Sequence, residues 1–352
     1  MTTSGEPAGR VTIRQVATHA GVSEAAVSYA LNGRPGVSEQ TRARVLAAAR
    51  ELGWTPNIAA RSLGTARANA VGMVLVRPPR VMVVDSFFTQ MLSGVEAELN
   101  RNDVALVLHL VDDFEETIGV YQRWYRGRHV DGVILTDLRS NDPRPLALRE
   151  IGLPAALIGG GHPSRATFDL SGVSNVDVDT EGTALNIISY LKALRHRSVA
   201  RVAGPLELLH TVRRDVAYTD AVAAVGDIEY RAVYTNYSAA DGMRATRELL
   251  SRADPPTALV FDNDVMAAAS LKVAHEMGLA VPDDFSVVAW DDSDLCQLTV
   301  PEITAVVQVP ALQAELTARA LLTAIYGGVE TRLTLPPGTL TARQSTRPPR
   351  AH

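Results

Sequence analysis

Hydrophobic positions between residues 12 and 52 recur at helical spacing in three short runs. Ile13, Val16, Ala17 and Ala20 follow the i, i+3, i+4, i+7 spacing of one buried helix face. Thr12 stands where an N-cap is needed, and Gln15 can reach back to complete a capping box. Gly21 supplies a stop and Ser23 the next cap, so a second helix begins almost at once, at a steep angle to the first. On it Val27 and Leu31 point inward, which leaves Glu24, Ala25, Ser28 and Tyr29 on the outer face. Ser38 caps a third run, in which Val45, Leu46, Ala49 and Leu52 form the expected apolar stripe and Gly53 ends the helix. Pro56 stops any continuation, and residues 57–63 have room for a turn or two of helix, too short to persist unless a partner orders it.

From about residue 70 the pattern changes to apolar runs alternating with amphipathic stretches. AVGMVLV, VALVLHL, VDGVILT, PAALIG, RVAG, RAVYT, TALVF, FSVVAW and ITAVVQ read as strands; being apolar throughout, they predict strands covered on both faces. FTQMLSGVEAELNR, TALNIISYLKALR, DGMRATRELLSR and DVMAAASLKVAHEMG carry helical spacing, so the order is repeated βαβ with parallel sheets. So many strands exceed one modest open sheet, and two lobes with a cleft between them accommodate them.

Charge separates the same two regions. The 352 residues carry a formal net charge of −5, yet residues 1–69 hold eight arginines against four acidic residues, leaving −9 on the remainder. A cationic head on an anionic body suits phosphate binding at one end. Cys296 is the only cysteine, which excludes an intrachain disulfide, a CxxC zinc site and a redox pair. The eight histidines show no metal-ligand spacing, and neither GxSxG nor HExxH occurs, so nothing in the sequence points to an enzyme, a metal or a cofactor. MTTSGEPAGR lacks the apolar core of a signal peptide, and no run approaches a membrane span, so a cytoplasmic protein without membrane contact is expected.

Two short helices turning at Gly21, the second with a polar outer face, are the device that sets one helix in the major groove of DNA; an ordinary helical hairpin is the other reading of the same pattern. The stretch VTIRQVATHAGVSEAAVSYALNGRPGVSEQTRARVLAAARELGWTPNIAARSL resembles the amino-terminal domain and hinge of LacI-family transcriptional regulators. The resemblance continues through AVGMVLV, VDGVIL, PTALVFDNDVMAAASLKVAHEMGLAVPDDFSVVAWDD, PEITAVVQ and LTARQST, and is weakest over residues 139–180.

It implies a small all-α helix-turn-helix DNA-binding head joined to an α/β, two-lobed core like that of periplasmic sugar-binding proteins. The expected domains are residues 1–56 for the head, 57–69 for hinge helix and linker, 70–346 for the core and 347–352 for a tail. Chain crossings are expected near Val178–Gly182, near Asp291–Leu295 and in a helix beginning around Pro310. These assign 70–180 and 292–320 to the first lobe, and 181–291 and 321–346 to the second.

By the same resemblance Glu24, Ala25 and Tyr29 read bases. Many relatives have Arg at the Tyr29 position; Tyr offers one hydroxyl and an edge for a thymine methyl instead of a bidentate pair for guanine, and Glu24 can accept from a cytosine amino group. Thr12, Ser23, Ser28, Asn32 and Arg34 suit phosphates, which set register without reading sequence. Asn57, Ala60, Arg61 and Leu63 match the hinge pattern NxxAxxL, whose leucine is wedged into the minor groove and bends the duplex. In the cleft, Phe87 and Phe88 match a pair at the mouth, with Phe88 the expected ligand contact. Arg214 matches the arginine of RxxGF, with Ala217 and Tyr218 replacing Gly and Phe. Asn263 and Asp291 would hydrogen-bond the ligand, and Trp290 would offer a stacking platform. Gly159 to Gly161 stand where relatives often have an aspartate or arginine, which removes one contact and lets backbone approach the ligand. The glycines do not form GxGxxG, and DVDTEG from Asp177 resembles a calcium loop only until Ile188, which stands where the loop needs Glu.

The expected protein is therefore a regulator, most simply a repressor, whose homodimer binds a pseudo-palindromic double-stranded operator under control of a small molecule, a sugar or related metabolite. Two-fold symmetry doubles the contacts of one short helix. STRPPRAH contains no leucine heptads, so dimers are expected and not tetramers. A transporter's solute-binding protein, which would need export, and a regulator answering to a partner protein are the alternatives.

Overall fold

The computed structural model describes residues 11–31, 35–54, 67–76, 86–159 and 170–350. The chain divides into two compact units, residues 1–68 and 69–352.

The first unit contains the helices Ile13–Ala20, Glu24–Leu31 and Glu39–Glu51. Thr12 N donates to Gln15 Oε1 at 2.8 Å and Gln15 N to Thr12 Oγ1 at 3.4 Å, so the capping box forms. Gly21 closes the first helix in the left-handed region at φ 64°, a conformation that costs a side-chain-bearing residue. Ser23 Oγ then accepts from Ala26 N and Ser38 Oγ from Thr41 N, each at 3.2 Å. Val16, Ala17, Ala20, Val27, Ala30, Val45, Ala48 and Ala49 form the core. The expected stripe on the third helix needs one correction: Leu46 is exposed, and Ala48 is buried in its stead. Positions 45, 48, 49 and 52 are the i, i+3, i+4, i+7 set, and Leu46 lies about 100° from Val45 around the axis. Ala30 accompanies Val27 inside, and Leu31, half-buried, packs against the same core as expected. Arg42 Nη1 donates to the Ala30 carbonyl at 2.9 Å, and His19 and Glu51 meet at 2.8 Å, tying the helices to one another.

The second unit contains two six-stranded sheets of like design. In chain order, β1 is Ala70–Val76, β2 Ala105–Val111, β3 Gly132–Leu135, β4 Ala155–Ile158, β5 Val173–Val178, β6 Ser198–Ala203, β7 Glu229–Tyr234, β8 Ala258–Phe261, β9 Ser286–Ala289, β10 Thr304–Val307, β11 Arg332–Leu335 and β12 Thr339–Thr341. The first sheet runs β11-β5-β4-β3-β1-β2 and the second β12-β10-β9-β8-β6-β7. Every pairing is parallel except β10 with β12. Strands β3, β4, β8 and β9 are buried along their whole length, as apolar runs without alternation require.

The expected crossings hold only at the first place. The chain leaves β5 and enters the helix Thr180–Ala193 of the second lobe, near Val178 as anticipated. No crossing occurs at Asp291–Leu295, because β10 pairs with β9 and remains in the second sheet. Residues 292–307 therefore belong to the second lobe, and the chain returns just before the helix Pro310–Ile325. That helix packs Ala314, Ala318, Leu321 and Leu322 into the first lobe's core, beside Phe88, Met91 and Val95 of the helix Ser86–Arg101. The two helices approach so closely that a Cβ on Gly94 would lie 2.0 Å from the Ala311 carbonyl oxygen. β11 pairs with β5 in the first sheet, so the last crossing falls between β11 and β12 and not at Pro310. The expected placement of 321–346 wholly in the second lobe fails for the same reason.

β5 had no counterpart among the anticipated strands. Its sequence VSNVDV interrupts the apolar run with Ser174, Asn175 and Asp177, all buried. The adjoining edge satisfies part of that polarity, Thr331 N donating to Ser174 Oγ at 3.0 Å, while the Asn175 backbone N donates to the Thr331 carbonyl at 2.8 Å. The helices Glu116–Gly127, Arg144–Ile151 and Leu209–Val225 were likewise unanticipated.

Candidate functional site

Two surfaces assemble the anticipated residues. On the first unit, Thr12, Ser23, Glu24, Ala25 and Tyr29 are exposed and Ser28 is half-buried. Glu24, Ala25 and Ser28, with Tyr29 a turn beyond Ala25, share one side of the helix because Val27 and Ala30 take the other. Tyr29 is 42% exposed, and one edge of its ring borders Gly36. A Cβ at Gly36 would lie 3.2 Å from Tyr29 Cδ2, and its φ of +118° is also left-handed, so glycine fits there on both counts. The loop thus braces one ring edge. Asn32, Arg34, Asn57, Ala60, Arg61 and Leu63 lie outside the described residues.

On the second unit, a cavity of about 140 Å³ lies between the lobes, lined by the loops that follow the strands of both sheets. Carboxyl ends of parallel strands are where such folds hold ligands. The first lobe contributes Phe87, Phe88 and Met91, Thr136 and Asp137 after β3, Ile158 ending β4 and Gly159 after it, and Asp177 near the end of β5, with Gln313 from its returning helix. The second lobe contributes His210, Arg213 and Arg214, Tyr237 after β7, Asp262 and Asn263 after β8, Trp290 and Asp291 after β9, and Gln308 after β10.

Every anticipated cleft residue lines this cavity, but three play other parts than expected. Phe88 is 2% exposed and packs in the first lobe's core, while Phe87 is half-buried, edge-to-face with it at 5.9 Å. Helix geometry sends consecutive residues in different directions, and Phe87 is the ring with surface to offer. Trp290 is buried with the Arg214 guanidinium 4.3 Å above its ring, so one indole face stacks on an arginine and is closed to a ligand. Asn263 caps the helix Asp264–Glu276, accepting from Met266 N at 2.9 Å, and donates to the Tyr237 carbonyl at 3.1 Å. Its amide holds the wall in shape.

The sequence reading missed Asp177, Arg213, His210, Tyr237 and Asp262. Arg213 spans the cleft: its Nη1 donates to Asp177 Oδ1 at 3.1 Å and its Nη2 lies 3.0 Å from Asp177 Oδ2. Burial lifts the Asp177 carboxyl above its usual range, with Arg213 pulling it part of the way back. The buried Arg213 Nε meets no hydrogen-bond acceptor among the described residues. Further lobe-to-lobe bonds run from Leu209 N to the Leu138 carbonyl at 2.7 Å and from Ser86 Oγ to Asp264 Oδ2 at 3.4 Å. His210 Nε2 and Tyr237 Oη meet at 2.8 Å, and burial raises the Tyr237 phenol. Asp262 is wholly buried; burial alone would raise its carboxyl, but Arg201 and Arg214 outweigh it and bring it down to about 2. DVDTEG marked Asp177 only as part of a failed calcium motif. No periodicity distinguishes Arg213 from Arg214. Among the described residues no group of three His, Cys, Asp or Glu could hold a metal ion, and no helix is long and apolar enough to cross a membrane.

Residues 12–57 match the model of bacterial regulatory proteins of the lacI family, and residues 188–346 match the periplasmic binding protein-like domain. The chain is 35% identical over 323 residues to the HTH-type transcriptional regulator CelR of Thermobifida fusca, covering 90% of this chain and 93% of that protein. A solved complex of the transcriptional regulator CelR with cellobiose superposes with a TM-score of 0.72 at 32% identity, covering 96% of this chain and 100% of that one. The lac repressor dimer bound to operator and an anti-inducer shares the fold, with a TM-score of 0.80 at 24% identity over 96% of this chain and 100% of that one.

Proposed function

The chain belongs to the lacI family of bacterial regulatory proteins, and on that premise we propose that it is a repressor whose homodimer releases or grips its operator according to the occupancy of the cleft. Family membership makes it a helix-turn-helix DNA-binding transcriptional regulator, and the roles of its relatives as transcription regulators support a non-enzymatic reading. Glu24, Ala25 and Tyr29 read base edges. Thr12, Ser23, Ser28, Asn32 and Arg34 hold phosphates, and the segment with Asn57, Ala60, Arg61 and Leu63 enters the minor groove. Two protomers place two such helices on a pseudo-palindromic site.

The effector is a neutral sugar, of the kind that CelR holds as cellobiose. One observation carries this reading: among the described residues Arg213 leaves a buried Nε without an acceptor, beside Arg214, Asp291 and the Phe87 ring in one cavity. Polyols meet such walls with hydroxyls that donate to carboxylates and accept from guanidinium groups, and with C–H faces that lie on aromatic rings. Arg213 and Arg214 are both drawn towards carboxylates, so the lining, which also holds Asp137 and Asp291, does not favour an anionic ligand.

The test is fluorescence anisotropy of the full chain on the DNA upstream of its own gene, with and without cellobiose and related disaccharides. Specific binding that falls with salt and changes with one sugar, together with a sugar-dependent rise in melting temperature, is the expected result. Absence of specific binding sinks the regulator reading; specific binding that no sugar alters, with no thermal shift, sinks the sugar reading alone.

A further inference from the structure

Arg201 occupies the middle of β6, in the run SVARVA, and is 0% exposed. An arginine in an apolar inner strand needs a reason, because a buried ion pair is seldom more stabilising than a well-packed apolar pair of equal volume. It does not line the cavity; it lies behind a residue that does. Its Nε donates to Asp262 Oδ1 at 2.7 Å and its Nη2 to Asp262 Oδ2 at 2.6 Å, a two-pronged grip on a wholly buried carboxylate. Gly204 N adds a third bond to Asp262 Oδ2 at 3.1 Å, and Arg201 Nη1 reaches Asp215.

Asp262 has a second cationic neighbour. Arg214 Nη1 donates to the Asp262 backbone carbonyl at 3.1 Å and stands 3.5 Å from Asp262 Oδ2, while its guanidinium lies over Trp290 at the cavity wall. Two arginines thus compete for one carboxylate, and Arg201 holds it by the shorter, paired bonds. Without that hold, the buried carboxylate would have Arg214 as its nearest counter-charge, and a shift of well under an ångström would complete the bond at the expense of the stack on Trp290.

We propose that Arg201 is a positioning residue for the ligand site: by occupying Asp262 from behind the sheet it keeps Arg214 over Trp290 and presented to the cavity. The proposal deepens the sugar reading and rests on it for the affinity measurements, but the placement of Arg214 is measurable without any sugar.

The experiment is a double-mutant cycle in the full chain with Arg201→Met, Asp262→Ala and both together, read by cellobiose titration and by Trp290 fluorescence in a Trp54→Phe, Trp124→Phe background. Arg214→Met in that background supplies the emission of a Trp290 with no guanidinium above it. Arg201→Met is expected to weaken cellobiose about tenfold and to shift the ligand-free emission towards that of Arg214→Met. Once Asp262 is alanine, Arg201 has no carboxylate to withhold from Arg214. The double variant should then match Asp262→Ala within about twofold in affinity and return to the parental emission. Loss of a merely structural ion pair would also vanish in the Asp262→Ala background, so the discriminating readout is the Trp290 emission, which such a role would not shift towards that of Arg214→Met. A folded Arg201→Met with parental affinity and emission overturns the proposal, as does a double variant that differs from Asp262→Ala by the full effect. Should Arg201→Met fail to fold, Arg201→Lys keeps the charge but loses the fork, and an intermediate shift in Trp290 emission is expected; an unchanged emission there overturns the proposal. If the parental protein binds no cellobiose, the sugar reading falls while the emission cycle still decides whether Arg201 positions Arg214.

Discussion

The two lobes share one strand plan but furnish opposite walls. Each sheet is six-stranded and carries its late-arriving strand at the same edge. The first lobe sets the apolar Phe87, Phe88, Met91 and Ile158 beside Thr136, Asp137, Asp177 and Gln313, whereas the second sets the arginines Arg213 and Arg214 with Asp262, Asn263 and Asp291 beside Tyr237 and Trp290. The difference continues behind the walls. Phe88 and Met91 back onto an apolar core, whereas Arg214 and Asp262 back onto Arg201 and Asp215. One plan can therefore be filled in two ways, because backbone pairing decides where the loops emerge while side chains decide what they present.

The largest effect should come from Phe88→Ala, which is expected to cost about 3–5 kcal/mol of stability through the cavity it leaves in a close-packed core. A urea midpoint that does not fall would show that the first lobe's wall is not part of its core. Next, Arg214→Met should weaken the sugar by about 2–3 kcal/mol, roughly 30- to 150-fold, with little change in ligand-free operator affinity. Calorimetric titration measures the first quantity and anisotropy the second; an equal loss in both would undo the division of labour.

The second lobe should also be the acid-sensitive one. His196 is 1% exposed, its Nε2 donates to the Arg347 carbonyl at 3.0 Å, and burial pushes its pKa down from 6.5 to about 4. Its folded form resists protonation while the unfolded form accepts it, so its contribution is intact above pH 6.5 and declines as the pH falls towards 4. A loss of about 2 kcal/mol by pH 5 is expected, read as a falling melting temperature whose slope flattens in His196→Gln. The smallest effect belongs to Phe87→Ala, with about 1 kcal/mol, or roughly fivefold, in sugar affinity and less in stability, because only one face of that ring has packing to lose. An Arg214-sized loss there would mean that the apolar wall dominates recognition.

Legibility followed the range of the interaction. Thr12, Gln15, Gly21 and Ser23 act on neighbours a few residues away, so the turn between the first two helices was readable outright. β5 was missed because Ser174 interrupts its apolar run and is satisfied by Thr331, more than 150 residues on. The second and third crossings were misplaced because apolar spacing marks β10 and the helix at Pro310 as buried but does not say against which sheet. Phe87 and Phe88 are adjacent and alike in sequence, and only the packing of their helix chose which would be core.

By itself the sequence determined the helix-turn-helix head, the repeated βαβ order, the parallel sheets and most of the residues around the cleft, since caps, turns and hydrophobic periods are local signals. Tertiary structure alone decided that Arg213 reaches Asp177 across the cleft, that Asn263 caps a helix, and that Arg201 holds Asp262 beneath Arg214. Those assignments are competitions between charges and donors that meet only after folding, and the outcome is set by distance and burial, which no spacing along the chain encodes.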